Sequence, residues 1–235
     1  IETLSFGLDE PQGVNEFGIK RSADDSMLMN GDIPLVAASQ LRLSGDHNLL
    51  NVLAALAIGK LLGLDMSRMI KVARRFEGLA HRGQNLGAID GVAFINDSKA
   101  TNIGAMLAAV EGLPLPADHR PNVILILGGV TKGVSFSGVA RRLAIRVKQA
   151  LVIGLDPAKL AEEIEEFIPT QICESMSRAV QVAGLTSSAG DVVLLAPGCA
   201  SFDQYDNYKA RGDDFVKLVR ALSAEPMLQP NERDI

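Results

Sequence analysis

Three short segments of this chain collect residue types that grip small anions. They are Asp97-Ser98-Lys99-Ala100-Thr101-Asn102, Gly128-Gly129-Val130-Thr131-Lys132-Gly133 and Pro197-Gly198-Cys199-Ala200-Ser201-Phe202-Asp203-Gln204-Tyr205. Lys99 and Lys132 supply fixed positive charge, and Thr101 and Ser201 supply hydroxyl donors. Two such loops on neighbouring strands could hold a carboxylate or a phosphate between them. The same composition also suits ordinary loops that follow strands, where a lysine simply faces solvent. On residue types alone the segments read as a site for a small anion and no more.

Other polar residues are placed where they could assist. Asn48 and Asn51 are three apart, so on a helix they share a face. With His47 they could meet the edge of a purine, or they could be capping residues of a first turn. Arg82 follows Gly78-Leu79-Ala80-His81 and could reach a triphosphate from a hinge, or stand on the surface. Gly128-Gly129 is not a dinucleotide fingerprint, and no G-x-x-x-x-G-K-[ST] phosphate loop occurs. His47, His81 and His119 lack metal-ligand spacing, so no metal site is expected. Cys199 has no visible base and reads as a small packed residue. The acidic run Glu162-Glu163 and Glu165-Glu166 reads as a solvated helix face.

These segments need elements to hold them. Residues 1–44 read as a β-meander with strands near 3–6, 17–20, 27–29 and 33–37, turned at Asn30-Gly31. Asp46 is placed to cap a helix over 47–62, which Gly63 stops. Asp65 is placed to cap a second helix to about residue 76. This part holds too few elements to close a core of its own and reads as the tail of a larger α/β domain. From residue 79 the pattern changes. A hairpin over 85–96 turns at Asp90-Gly91. Strands near 123–127, 150–153, 170–173 and 192–196 then alternate with helices near 103–111, 136–147, 157–167, 176–185 and 210–222. Continuous apolar runs such as Val-Ile-Leu-Ile-Leu suit strands buried on both faces. The expected fold is therefore α/β: a Rossmann-like, mostly parallel sheet with one antiparallel hairpin strand. The expected domains are 1–78 and 79–235, with a polar tail over 225–235 that frays.

Composition narrows the class of function. With 235 residues the chain can form one large domain or two modest ones. Its net charge of -5 offers no broad basic surface for nucleic acid or anionic lipid. Trp is absent and aromatics are 4%, which gives no stacking platform for single strands. Two isolated cysteines and no long apolar run point to the cytoplasm, with no membrane and no nucleic acid as partners.

Taken in order, Ser44-Gly45-Asp46-His47-Asn48 with Asn51, Gly78-Leu79-Ala80-His81-Arg82, Ile95-Asn96-Asp97-Ser98-Lys99-Ala100-Thr101-Asn102, Leu127-Gly128-Gly129 with Lys132-Gly133, and Cys199-Ala200-Ser201-Phe202-Asp203-Gln204 through Tyr208 to Arg211-Gly212 resemble the Mur ligase family. The Asn-Asp-Ser-Lys-Ala-Thr-Asn segment is similar to the branch that joins D-glutamate to UDP-N-acetylmuramoyl-L-alanine. The resemblance implies an ATP- and Mg²⁺-dependent amide ligase of peptidoglycan synthesis, a cytoplasmic monomer working through an acyl phosphate. It implies that 1–78 is the C-terminal part of a central ATP-binding domain and 79–235 a C-terminal ligase domain. The chain would be a fragment, inactive alone, with the phosphate loop and the Mg²⁺ ligands in an N-terminal part. Carried over by motif, Asn48 and Asn51 would approach adenine. Arg82 and Lys99 would contact the ribose and phosphates of ATP. Asp97 would orient Lys99 or a nucleotide hydroxyl. Thr101, Lys132, Ser201, Phe202 and Tyr208 would hold D-glutamate. Val130-Thr131 departs from the Asp-Gly that the family often has, which removes an acidic contact to the ribose.

Overall fold

The computed structural model describes residues 3–23, 25–43 and 45–224, which fall into two units, Ile1–Gly78 and Leu79–Ile235. The tail over 225–235, expected to fray, lies outside the described residues.

The first unit is a four-stranded sheet with two helices. Its strands β1 (Ser5–Phe6), β2 (Glu16–Arg21), β3 (Ser26–Asn30) and β4 (Ile33–Ala37) lie side by side in chain order. β1 runs parallel to β2, so only the last three form a meander. Asn30 pairs with Ile33, which makes Gly31-Asp32 the turn rather than Asn30-Gly31. Helix α1 (Asp46–Leu61) buries Leu49, Val52, Leu53, Leu56 and Ala57, the i, i+3, i+4, i+7, i+8 positions of one face. Gly45, not Asp46, precedes it; Asp46 is its first helical residue and pairs with Arg21 at 2.9 Å. Gly63, at φ +70, closes α1: its N–H meets the Lys60 carbonyl and the Leu64 N–H meets that of Gly59. Helix α2 (Met66–Arg75) starts on the Asp65 carboxylate, which accepts from Arg68 N–H at 2.8 Å. Phe17, Ile19, Leu28 and Val36 of the sheet pack against the α1 face in one core. The expectation that this part has no core of its own was therefore too strong. It still leaves Leu64, Val72 and Phe76 exposed.

The second unit starts with the hairpin β5 (Gln84–Ile89) and β6 (Val92–Asn96). Asp90 and Gly91 both have positive φ, as the tight turn requires. There follow α3 (Ile103–Glu111), β7 (Val123–Gly128), α4 (Ser137–Leu143), β8 (Val147–Ile153), α5 (Ala158–Ile164), β9 (Thr170–Glu174), α6 (Met176–Thr186), β10 (Val192–Leu195) and α7 (Tyr208–Ala224). The sheet order is β5-β6-β10-β7-β8-β9, with only the β5–β6 pair antiparallel. Strand residues alternate between two cores, as a period of two demands. Leu125, Leu127, Val152 and Leu194 face α3, α4 and α5. Ile124, Ile126, Leu151 and Val193 face α6 and α7. Helix α4 stops at Leu143, short of the expected 147. Val147 is already paired with Val123 in the sheet, and the Arg146 carbonyl accepts from Val123 N–H.

Candidate functional site

The last strand made, β10, lies in the middle of the sheet between β6 and β7. The loops that follow β6 and β7 lead to α3 and α4 on one face, whereas the loop after β10 leads to α7 on the other. Crevices therefore open at the carboxyl ends on both flanks of β10, the usual place for ligands in an open α/β sheet. The loops carrying Thr101 and Lys132 thus do not follow neighbouring strands; the loop carrying Ser201 stands between them.

Backbone bonds stitch the three loops together. Gly198 N–H donates to the Ala100 carbonyl at 2.8 Å, and Gly128 N–H to that of Pro197 at 2.9 Å. Val130 and Ala200 exchange bonds of 2.9 and 3.1 Å. This packing explains Gly128 and Gly129. Both have φ near +120°, and a Cβ would stand 2.1 Å from the Ile153 carbonyl oxygen or 2.3 Å from that of Ala200.

The site residues of this unit are distributed as follows. The Lys99 ammonium lies over the ring of Tyr208, the first residue of α7. The Asp97 carboxyl is pushed up to about 6 by burial, against the pull of the Gly83 N–H and the positive charge of Arg82. Asp97 thus has the Gly83 N–H and the charge of Arg82 acting on it, while Lys99 lies against the Tyr208 ring. Thr101 is half-buried, and its N–H bonds the Lys99 carbonyl at 2.8 Å. Ser201 is 3% exposed, and its carbonyl accepts from the N–H groups of Gln204 and Tyr205. Phe202 is 71% exposed, a large apolar surface beside polar loops. Lys132 is exposed and has φ +55, a conformation that costs a side-chain-bearing residue about 1–3 kcal/mol and tends to mark sites.

Four buried polar residues behind these loops were missed as site residues. Arg211 is 1% exposed. Its guanidinium donates to Ser98 Oγ, the Ser98 carbonyl and the Cys199 carbonyl at 2.9–3.1 Å. Ser98 Oγ in turn donates to the Tyr208 carbonyl at 2.8 Å. One cation thus ties the loop after β6, the loop after β10 and the start of α7. Burial lowers the Arg211 pKa to about 10, and its Nη1 has no partner among the described residues. A sequence signal existed: Arg211 shares the apolar stripe of α7 with Phe215, Val219 and Leu222. Asn96 and His81 complete the set, buried behind Lys99. Cys199 is a packed thiol, pushed up to about 12 by burial.

In the first unit, Asn48 and Asn51 lie in the opening turns of α1. Asn51 stands at the wall of a cavity of about 530 Å³ between α1 and α2, otherwise lined mainly by apolar side chains including Leu43, Val52, Met69, Val72 and Phe76. A second cavity, of about 260 Å³, lies beside the loop after β7, against Leu155, Lys159, Glu163 and Asp203. Glu163 is not simply solvated: its carboxylate accepts from Phe136 N–H and Ser135 Oγ. No group of three or more His, Cys, Asp or Glu suited to a metal ion occurs among the described residues. No described helix is long and apolar enough to cross a membrane.

A family model described as Mur ligase, glutamate ligase domain, matches residues 81–199. The chain belongs to the Mur ligase family. Relatives called UDP-N-acetylmuramoylalanine--D-glutamate ligase support this. The protein of Nitrosococcus oceani is 40% identical over 219 residues, 93% of this chain and 47% of its own length. That of Shewanella oneidensis is 42% identical over 221 residues, 94% and 48%. The chain thus spans about half the length of the curated relatives it matches. Among solved structures, the UDP-N-acetylmuramate-alanine ligase of Thermotoga maritima aligns at TM-score 0.65 and 15% identity, covering 94% of this chain and 48% of that one. The folylpolyglutamate synthase of Mycobacterium tuberculosis complexed with ADP aligns at 0.57 and 17%, covering 89% and 48%. At such identity these two establish the Mur ligase fold of the mostly parallel sheet, and nothing about substrate.

Proposed function

We propose that the chain is part of an ATP-dependent ligase that joins D-glutamate to UDP-N-acetylmuramoyl-L-alanine in peptidoglycan synthesis. The observation that carries this reading is the 38–44% identity to ligases of that name over most of the chain. Since those relatives are about twice as long, the activity belongs to the longer protein, and the chain alone is inactive. The phosphate loop that the chemistry needs is not in this sequence.

The chemistry suits the residues. A carboxylate is a poor acyl donor, and transfer of the γ-phosphoryl group of ATP to it creates a leaving group. The neutral amine of D-glutamate then attacks the acyl carbon, phosphate departs, the amine loses a proton, and an amide, ADP and phosphate result. Such a reaction needs positioning and charge neutralisation. Lys99 and Arg82 would supply charge to the phosphates. Asp97, beside Arg82, would orient it. Lys132, Thr101 and Ser201, on three stitched loops, would share the two carboxylates of D-glutamate. Tyr208 would hold Lys99, and Phe202 would cover the amino acid. Asn48 and Asn51 would face adenine; an apolar cavity with an amide at its wall suits a flat ring with a polar edge. The described residues do not gather a metal site, so a Mg²⁺ ion would be held by groups outside them, and no step here depends on it. The enzyme would act in the cytoplasm and as a monomer.

The test is phosphate release by the full-length protein with ATP and precursor. It should depend on D-glutamate and not on L-alanine or a diamino acid. Equal release with another amino acid would refute the D-glutamate assignment.

A further inference from the structure

Asn96 ends β6 with no exposed surface, and two backbone groups fix its amide. Ser98 N–H donates to Oδ1 at 3.1 Å, and Nδ2 donates to the Gly212 carbonyl at 3.1 Å. A backbone N–H only donates and a carbonyl only accepts, so the amide cannot be turned round. Its second Nδ2 hydrogen has His81 Nδ1 at 3.0 Å. The competing acceptor, Gln84 Oε1, is farther away at 3.4 Å and already accepts from the His81 N–H at 3.1 Å.

We infer that Asn96 fixes neutral His81 as the Nε2–H tautomer, and through that ring positions the backbone that carries Lys99 and Arg82. A ring with its hydrogen on Nδ1 would set two donors against each other across 3.0 Å, in a site where His81 is only 7% exposed. With the hydrogen on Nε2, the Asp213 carboxylate of α7 stands 3.5 Å from that nitrogen, beyond a good hydrogen bond and open to solvent. The ring thus stands between the Asn96 amide of β6, which it meets at hydrogen-bond distance, and the Asp213 carboxylate of α7. The charged groups around it are Asp213 and, over the Tyr208 ring that meets His81 edge-on, Lys99; Arg82 is the next residue.

The ring matters because His81 is held under constraint. It has φ +63 and its carbonyl accepts the Lys99 N–H at 3.0 Å. Gly212 leaves no room beside it: a Cβ there would stand 2.3 Å from Nδ1. The ring is thus a post between β6 and α7, and its backbone sets the height of Lys99 on one side and the exit of Arg82 on the other. Asn96 acts as a positioning residue and touches no substrate. The tautomer stands on geometry alone, whereas the positioning role rests on the ligase reading.

A long-range proton–nitrogen spectrum of the ¹⁵N-labelled chain, at a pH where the ring is neutral, reads the tautomer directly. A His81→Gln variant assigns the signals, since the chain has three histidines. Nδ1 should show the unprotonated type of shift and Nε2 the protonated type; the reverse pattern overturns the inference. Asn96→Asp replaces the donor by an acceptor at nearly the same shape and should draw the proton to Nδ1. Gln84→Met should leave the tautomer unchanged, and a swap there would make Gln84 the determinant instead. In the full-length ligase, Asn96→Asp should lower kcat/KM for ATP by about ten- to a hundredfold, with the D-glutamate KM altered much less. An unaltered ATP profile beside a confirmed tautomer overturns the positioning role. Absence of D-glutamate-dependent turnover in the unsubstituted enzyme overturns the ligase reading alone.

Discussion

The Lys99 ammonium lies 4.5 Å from the centre of the Tyr208 ring. One residue follows β6 and the other begins α7, so this contact spans the crevice beside β10. A ring holds the cation in place while leaving its hydrogens free for an incoming phosphate. Such a contact is worth about 0.5–2 kcal/mol. Tyr208→Leu should therefore lower kcat/KM for ATP in the full-length ligase by roughly 2- to 30-fold. Tyr208→Phe, which keeps the ring, should stay within about twofold of the parent. Equal losses in both variants would mean that the hydroxyl, not the ring, is what Lys99 needs.

Lys132→Ala removes a charge-assisted contact worth roughly 1.5–3 kcal/mol. It should raise the D-glutamate KM by about ten- to a hundredfold and alter the ATP KM little. Lys99→Ala should instead depress kcat, because phosphoryl charge develops beside it. Ser201→Ala, losing one neutral donor, should be the mildest of the three. Steady-state kinetics with each substrate varied would expose a wrong assignment if Lys132→Ala weakened ATP and left D-glutamate alone.

Asp97 gives a pH dependence with a definite sign. Burial raises its pKa from the ordinary 3.8 to about 6 in the folded chain. The folded state therefore prefers the protonated form. That contribution is complete below about 3.8 and is lost as pH rises through about 6, an effect on the order of 3 kcal/mol. Asp97→Asn lacks this loss, so it should be more stable than the parent at pH 7 and close to it at pH 4. Urea midpoints at the two pH values test this; a constant difference would contradict it. The same variant should impair the full-length ligase, a sign that the carboxylate is kept for function at a cost in stability.

Arg211→Met keeps the length of the side chain in α7 but deletes the donors to Ser98 and Cys199. The chain should lose roughly 2–4 kcal/mol, since buried acceptors are left without partners. Chemical denaturation measures it. A loss below about 0.5 kcal/mol would mean that the two loops hold their places without the guanidinium.

Local elements were legible wherever local chemistry decides them. Helix α3 occupies the expected residues because Asn102 caps it, accepting from Ala105 N–H at 2.9 Å. The Asp90-Gly91 turn was equally plain. The end of α4 was not, because Arg146 and Val147 are claimed by the sheet, a distant partner that periodicity does not reveal. Strand order was hidden for the same reason. β7, β10 and the Ala150–Ile153 part of β8 are all apolar on both faces, and nothing local places β10 between β6 and β7. Lys99, Thr101, Lys132 and Ser201 stood out as polar residues in small loops. Arg211, Asn96 and Ser98 did not, since their work is done in the interior, where such residues are uncommon.

The central place of β10 also orders events at the ribosome. Translation delivers β6 and β7 nearly 100 and 70 residues ahead of the strand that joins them. Until then each presents an unpaired edge of apolar sequence, the kind of surface that recruits wrong partners. The sheet, both crevices and all three candidate loops come into being together, when the last strand slides into the gap. A nascent chain stopped before residue 192 would hold the Lys99 and Lys132 loops without the strand between them or the Ser201 loop that follows it.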